Sequence, residues 1–188
     1  MKVFLDTTYR RDKQHLANYL RIYALIETLG YIHLFKDIAE DSPLSINESS
    51  DKRERNKSVD LYRKRLEYLH RSDINVFEAS LPSLSTGLLI EKSIEMNKPT
   101  VVFYQQSNTP ILISGIENDK LILVSYNEDT LEKVVKEAFI KARQIRDKRF
   151  NFFISPSLLE YLEKKSKEMG ITKSTFIRNL ILKHMKNN

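Results

Sequence analysis

The stretch Ser72–Gln105, SDINVFEASLPSLSTGLLIEKSIEMNKPTVVFYQ, decides the fold. Its first part, DINVFEAS from Asp73, is a short run of β-branched and aromatic residues that predicts a strand. A Pro-Ser turn follows at Pro82, and the residues up to about Asn97 are typical of a helix. TVVFYQ from Thr100 predicts the next strand. A strand, a helix and a strand joined by short connections indicate a parallel sheet.

The same alternation continues on both sides of this stretch. KVFLD from Lys2, YIHLF from Tyr31 and KLILVSY from Lys120 predict three more strands, and apolar residues at helical spacing follow the first and the last of them. We therefore expect an α/β fold with a Rossmann-like or flavodoxin-like parallel sheet. In such a sheet ligands bind beyond the carboxyl ends of the strands, where residues 6–8 and 79–87 fall.

The positive charge of the chain is concentrated at one end. The 188 residues include 31 basic and 25 acidic side chains, which gives a net charge of +6. Residues 1–147 hold 22 of each sign, so the whole excess lies in residues 148–188. We expect an α/β domain over 1–147, with a mobile loop at about 41–58, and a small basic domain over 148–188. A basic end on a neutral body favours a polyanionic partner.

Composition excludes several kinds of site. The chain has no cysteine, which excludes disulfides, thiolate zinc sites and cysteine nucleophiles. Its apolar runs are too short for a membrane span or a signal peptide, so we expect a soluble, cytoplasmic protein. The four histidines show no ligand spacing, and no phosphate-binding or dinucleotide-binding glycine motif occurs, so no metal or cofactor is expected.

The last domain begins with a lone strand, RFNFFIS from Arg149. Ser155 and Pro156 then provide the N-cap and first position of a helix, Gly170 ends that helix, and Thr172 caps another. The segment resembles the ribbon-helix-helix family, as in CopG-like and Arc-type repressors. The resemblance implies a homodimer whose two strands pair into an antiparallel ribbon that enters the DNA major groove.

The resemblance also implies which residues contact DNA. The outward face of the strand would read base edges, and the start of the second helix would hold a phosphate. The implied residues are Arg149, Asn151, Phe153, Thr172, Lys173 and Ser174. Phe153 departs from the polar residue that is usual on the outward face. The domain could therefore serve dimerisation alone, and this alternative stays open.

A second resemblance covers about residues 1–145. KVFLD, the stretch Ser72–Gln105 and ILISGIENDKLILVSYNEDTLEKVV from Ile111 resemble the nucleoside 2-deoxyribosyltransferase family, and most closely its deoxynucleoside-monophosphate N-glycosidase branch. The resemblance implies the same Rossmann-like sheet that the alternation predicts. It also implies a site at the carboxyl ends of the strands, built around carboxylates.

The catalytic residues of that family do not carry over to this chain. The family's nucleophilic glutamate falls at Leu89, its supporting aspartate at Arg65 and its first-strand tyrosine at Phe4. Leucine and arginine cannot replace carboxylates, because one has no lone pair to donate and the other has the opposite charge. We therefore expect no catalytic residue at these positions.

A part of the family's ligand site remains. In the family, the Pro-Ser-Leu turn at the start of a helix helps to hold a 5′-phosphate. In this chain Asp6 would repel that phosphate unless its carboxylate binds a ribose hydroxyl or a cation. The candidate ligand-binding residues are Phe4, Asp6, Thr7, Thr8, Ser83 and Gly87. A nucleotide or a nucleoside is the candidate ligand.

The leading prediction is a transcriptional regulator that binds a palindromic site in double-stranded DNA as a homodimer. Its first domain would be a degenerate deoxyribosyltransferase-like pseudoenzyme that senses a nucleotide or acts as a scaffold. One alternative is an active N-glycosidase or deoxyribosyltransferase-like enzyme, tethered by a DNA-binding tail, with a displaced carboxylate such as Glu78 or Glu91. A second alternative is an antitoxin-like interaction protein.

Overall fold

The computed structural model describes residues 1–7, 13–35, 52–147 and 151–187. The chain divides into two compact units, Met1–Asp147 and Lys148–Asn188. The described elements of the first unit are β1 (Lys2–Thr7), α1 (Lys13–Thr28), β2 (Ile32–His33), α2 (Lys52–Arg71), β3 (Ile74–Glu78), α3 (Leu84–Glu95), β4 (Thr100–Gln105), α4 (Ile111–Ser114), β5 (Leu121–Tyr126) and α5 (Leu131–Ile145). No helix among the described residues is long and apolar enough to cross a membrane.

The five strands form one sheet in the order β2-β1-β3-β4-β5, and every neighbouring pair is parallel. The predicted α/β fold with a parallel sheet is therefore confirmed. Because all strands run the same way, their carboxyl ends share one edge of the sheet. We call this edge, which is formed by the ends of β1, β3, β4 and β5 and the segments that follow them, the carboxyl edge.

The side chains of the strands alternate between two apolar clusters, one on each face of the sheet. Val3 and Leu5 pack with buried residues of α1 and α5. Phe4, which lies between them in β1, packs with Leu69 of α2 and Leu89 of α3. The alternation decides which helices a side chain at the carboxyl edge faces.

Helix α2 begins earlier than the sequence analysis expects. The segment 41–58 is predicted to be a loop, but residues 52–58 belong to α2, which begins at Lys52. Residues 41–51 lie outside the described residues. The lysines, arginines and glutamate at the start of α2 are good helix formers. A polar run of this composition is therefore compatible with a helix as well as with a loop.

The second unit contains two helices, α6 (Pro156–Glu168) and α7 (Lys173–Lys186). The predicted caps are confirmed: Ser155 caps α6, and Oγ1 of Thr172 accepts a hydrogen bond of 3.1 Å from the backbone N–H of Thr175. Gly170 has φ of 65°, a left-handed conformation that glycine adopts without strain. These local signals act within a few residues, which makes them readable from sequence.

The predicted strand at the start of this unit is not found. Residues 151–154 are described and belong to no strand, whereas Arg149 and Phe150 lie outside the described residues. A strand requires a partner for its backbone hydrogen bonds, and no strand of the described part of this unit offers one. The ribbon-helix-helix arrangement is therefore not shown.

Candidate functional site

The carboxyl edge brings together the ends of β1 and β3. Thr7 of β1 lies opposite Glu78 of β3 in the parallel register, and Asp6 lies opposite Phe77. The chain then passes through residues 79–83 and enters α3. Thr8, another predicted ligand residue, lies outside the described residues.

The two carboxylates of this edge lie on opposite faces of the sheet. Asp6 shares its face of β1 with Phe4, and both therefore face α2 and α3. Glu78 faces the other way, because its side chain bonds to Tyr126, a member of the cluster that packs against α1 and α5. Each carboxylate therefore has its own set of neighbours.

Asp6 forms an ion pair with Arg65 of α2. Nη1 of Arg65 donates to Oδ1 of Asp6. The Arg65 side chain is 19% exposed and the Asp6 side chain is 8% exposed, so the guanidinium lies nearer to solvent than the carboxylate does. Burial lowers the pKa of Arg65, because the charged guanidinium loses hydration water.

Glu78 is held in a different way, inside a neutral hydrogen-bond network. It is 1% exposed. Its Oε1 accepts a hydrogen bond of 2.9 Å from the Tyr126 hydroxyl and others from the hydroxyl and backbone N–H of Ser80. The hydroxyl oxygen of Thr7 lies 3.4 Å from Oε2 of Glu78. Burial and then the charge of Glu78 raise the pKa of Tyr126, which keeps the phenol protonated as a donor.

The start of α3 lies at the same edge. Oγ of Ser83 accepts a hydrogen bond of 3.3 Å from the backbone N–H of Thr86 and lies 2.9 Å from the hydroxyl of Ser85. The predicted phosphate-binding hydroxyl is therefore used as the N-cap of the helix. A Cβ placed on Gly87 would meet no atom within 4 Å, so the space beside this first turn is open.

The family's catalytic positions are filled by apolar packing and by the ion pair. Leu89 is 3% exposed and Phe4 is 1% exposed, and both belong to the cluster beneath α2 and α3. The ring of Phe4 stacks on Tyr68 with centroids 5.8 Å apart. Phe4 is predicted to bind ligand, but this ring is enclosed by protein within the apolar cluster.

The relation between Asp6 and Arg65 was not predicted. Asp6 is predicted to bind ligand and Arg65 to mark a lost carboxylate, but the two form one ion pair. The sequence does contain a signal of this relation. Asp6 adds a negative charge in β1, and Arg65 places a positive charge where the family has an aspartate. The distance of 59 residues between them conceals that link.

The residues predicted to contact DNA lie at the surface of the second unit or outside the described residues. Nζ of Lys173 is 2.6 Å from Oε1 of Glu163, and this bond and charge lower the pKa of Glu163. Thr172 caps α7. Asn151, Phe153 and Ser174 are exposed, and Arg149 is outside the described residues. Among the described residues, no group of three or more acidic or histidine side chains could hold a metal ion.

Comparison with known proteins identifies relatives of one kind. The chain is 29% identical over 139 residues to the putative 2′-deoxynucleoside 5′-phosphate N-hydrolase 1 of Thermofilum pendens. This alignment covers 71% of this chain and 92% of that protein. It is 23% identical over 143 residues to the 5-hydroxymethyl-dUMP N-hydrolase of Danio rerio, covering 74% and 96% of the two chains. No family profile matches the chain.

Two solved structures share the fold. A CMP N-glycosidase of Clostridium botulinum superposes with a TM-score of 0.51 and 17% identity, over 74% of this chain and 98% of that one. A 2-deoxyribosyltransferase of Bacillus psychrosaccharolyticus superposes with a TM-score of 0.52 and 14% identity, over 80% and 100%. At such identities the likeness shows the fold.

These findings correct the leading prediction. The prediction of a DNA-binding transcriptional regulator is wrong. The two relatives are N-hydrolases, and the two proteins of the same fold are an N-glycosidase and a deoxyribosyltransferase. They favour the alternative of an enzyme that acts on nucleotides or nucleosides. The chain has the five-stranded parallel α/β fold of the nucleoside deoxyribosyltransferases, and its N-terminal unit is a nucleotide N-hydrolase-like domain.

Proposed function

We propose that the N-terminal unit, residues 1–147, hydrolyses the C–N glycosidic bond of nucleoside 5′-monophosphates and releases the free base. The relatives support the reaction class, since two of them are N-hydrolases of nucleotides by name. The observation that carries the proposal is the buried Asp6 carboxylate, which lies at the carboxyl edge on the face of the sheet that also holds Phe4 and Leu89. Nucleoside monophosphates are intracellular metabolites, so the proposed location is the cytoplasm.

Asp6 takes the role that a carboxylate has in glycosidic cleavage. The transition state of this reaction carries positive charge at the anomeric carbon, C1′, and a nearby carboxylate stabilises that charge. The family's carboxylate positions are Leu89 and Arg65, and Asp6 is the carboxylate that contacts one of them. The negative charge is thus displaced from α2 to β1 on the same face of the sheet.

The bond changes follow from this arrangement. The bond between C1′ and the base nitrogen breaks, and the base leaves with the electron pair. Water adds its hydroxyl to C1′, and its proton goes to the base. Asp6 faces C1′ during these steps. The first turn of α3 at Ser83 and Gly87 holds the phosphate, since the first N–H groups of a helix attract anions.

The test is base release from a panel of ribo- and deoxyribonucleoside 5′-monophosphates, measured by chromatography of the products. We expect release from at least one monophosphate by the wild-type protein and no change in Glu91→Gln, because Glu91 is exposed on α3. Absence of release from the whole panel after long incubation would overturn the proposal.

We further infer that residues 148–188 associate with a second copy of the chain. This unit buries one large apolar side chain, Phe176, among its described residues. Its exposed apolar residues include Phe153, Leu158, Tyr161, Leu180, Ile181 and Met185. Two short helices of this kind bury too little surface to be stable alone, and a copy of the same surface would cover them.

Light scattering of the full chain at micromolar concentration tests this association. We expect a dimer that Ile181→Asp weakens, because Ile181 is 55% exposed and apolar. Lys183→Asp is the control, since Lys183 is exposed and already polar. A wild-type monomer would contradict the inferred association.

A further inference from the structure

The ion pair between Asp6 and Arg65 presents a problem for a nucleotide site. A free carboxylate at the carboxyl edge would repel the phosphate of the proposed substrate. Paired with Arg65, it contributes no net charge, and the pair lies on the face where α2 and α3 pack together. The first turn of α3, the proposed phosphate site, opens at the same edge.

We infer that Arg65 changes partner when a nucleotide binds: the guanidinium leaves Asp6, binds the 5′-phosphate and so frees the Asp6 carboxylate to face the sugar. This inference rests on the proposed function. It makes Arg65 a positioning residue for the substrate, and it makes the phosphate the trigger that releases Asp6.

The geometry of the pair supports such an exchange. One nitrogen of Arg65, Nη1, contacts one oxygen of Asp6, Oδ1. A guanidinium has five N–H donors in a planar fork, and phosphate oxygens match that fork with two parallel hydrogen bonds. A phosphate dianion therefore offers Arg65 more charge and more acceptors than the single Asp6 oxygen does.

The exposed fractions of the two side chains also support the exchange of partner. Arg65 is more exposed than Asp6, at 19% against 8%, so an anion that arrives from solvent meets the guanidinium first. Because protein already covers all but 19% of its side chain, Arg65 has lost part of its hydration before the phosphate binds.

The same helix provides a matched control. Arg71 of α2 also pairs with a carboxylate, Glu67, through a contact of 2.8 Å. That pair is exposed, at 53% and 59%, and its carboxylate comes from the helix itself and not from the sheet. Arg71→Gln therefore removes a pair of the same chemistry away from the carboxyl edge.

Isothermal titration calorimetry on the full chain tests the exchange, with the 2′-deoxynucleoside 5′-monophosphates, the corresponding nucleosides and inorganic phosphate as probes. We expect Arg65→Gln to weaken monophosphate binding on the order of 10- to 100-fold and to leave nucleoside binding unchanged. Arg65→Lys should restore part of the loss, and Arg71→Gln should bind as wild type does. Asp6→Asn should bind monophosphates more tightly than wild type, because the competing carboxylate is gone.

The outcomes separate this inference from the proposed function. Monophosphate binding that is unchanged in Arg65→Gln, or weakened in Asp6→Asn, would overturn the exchange and leave the proposed hydrolase standing. A wild-type protein that binds none of the nucleotides would overturn both. If Arg65→Gln does not fold, the variant Asp6→Asn/Arg65→Gln removes both charges, and it should still lose the preference for monophosphates over nucleosides.

Discussion

The two faces of the carboxyl edge hold their carboxylates by different means. On the face of α2 and α3, Asp6 is compensated by the charge of Arg65, a partner that a stronger anion can take away. On the face of α1 and α5, Glu78 is enclosed by neutral donors from Tyr126 and Ser80 and is 1% exposed. Neighbouring strands of one sheet thus carry one carboxylate that is accessible to exchange and one that is fixed in place.

This difference assigns the roles of the two carboxylates. A carboxylate that acts on substrate must reach the anomeric carbon, and Asp6, although buried, lies behind the more exposed Arg65 side chain, which an anion can draw away. A buried carboxylate that accepts from Tyr126 and Ser80 joins the ends of β3 and β5 instead. Changes on the Glu78 side should therefore affect stability alone, whereas changes on the Asp6 side should affect binding and turnover as well as stability.

The largest effect on stability is expected from Glu78→Ala. This change leaves the buried donors of Tyr126 and Ser80 without their acceptor, and we expect a loss of about 3 kcal/mol in the free energy of unfolding. Urea denaturation measures it. Glu91→Ala, on the exposed side of α3, should change that free energy by less than about 0.5 kcal/mol. Equal values for both variants would contradict the role of Glu78 as an internal anchor.

A smaller loss is expected from Arg65→Gln. It leaves the buried Asp6 carboxylate without its cation, but Arg65 is 19% exposed and water can take the place of the guanidinium, so the cost should be about 1–3 kcal/mol. The variant Asp6→Asn/Arg65→Gln should regain most of that loss, since no unpaired charge remains. Arg71→Gln should cost about 0–1 kcal/mol, as surface ion pairs do. The same denaturation experiment compares the three, and a double variant that is no more stable than Arg65→Gln would argue against the pairing.

The smallest effect concerns pH and Tyr126. Burial and the charge of Glu78 raise its pKa above the ordinary value of 10.0. The folded protein therefore keeps this proton when the unfolded chain loses it, so the stabilisation is present below about pH 10 and is lost as the pH rises further. Tyr126→Phe should cost about 1 kcal/mol at neutral pH and make the alkaline decline less steep. Tyr62→Phe, at an exposed tyrosine, should do neither, and an unchanged alkaline decline in Tyr126→Phe would contradict the assignment.

Local signals in the sequence predicted much of the fold. Runs of apolar residues gave the parallel sheet, and the caps at Ser155 and Thr172 gave the starts of α6 and α7. Their causes act over a few residues, so they are readable one segment at a time. The start of α2 at Lys52 was missed because the residues that favour that helix are also typical of a surface loop.

The candidate site was harder to predict because it depends on which faces meet. Comparison with the family's positions identified Leu89 and Arg65 as lost carboxylates, yet the partner of Arg65 lies in another element, 59 residues away. Glu78 and Asp6 are both carboxylates near the end of a strand, so the sequence does not distinguish them. They face opposite sides of the sheet because side chains alternate between the two faces along β1 and β3. The charge of the last domain suggested DNA, whereas the relatives of the chain are N-hydrolases.

The role of Asp6 in catalysis is tested most directly by base release from the wild type, Asp6→Asn and Glu78→Gln, each corrected for the folded fraction. We expect Asp6→Asn to lose on the order of 100-fold or more in rate, since a carboxylate at the reacting centre is removed. Glu78→Gln should keep most of the wild-type rate and show its effect in stability. A wild-type rate in Asp6→Asn together with a loss in Glu78→Gln would contradict the role of Asp6 and assign the chemistry to the opposite face of the sheet.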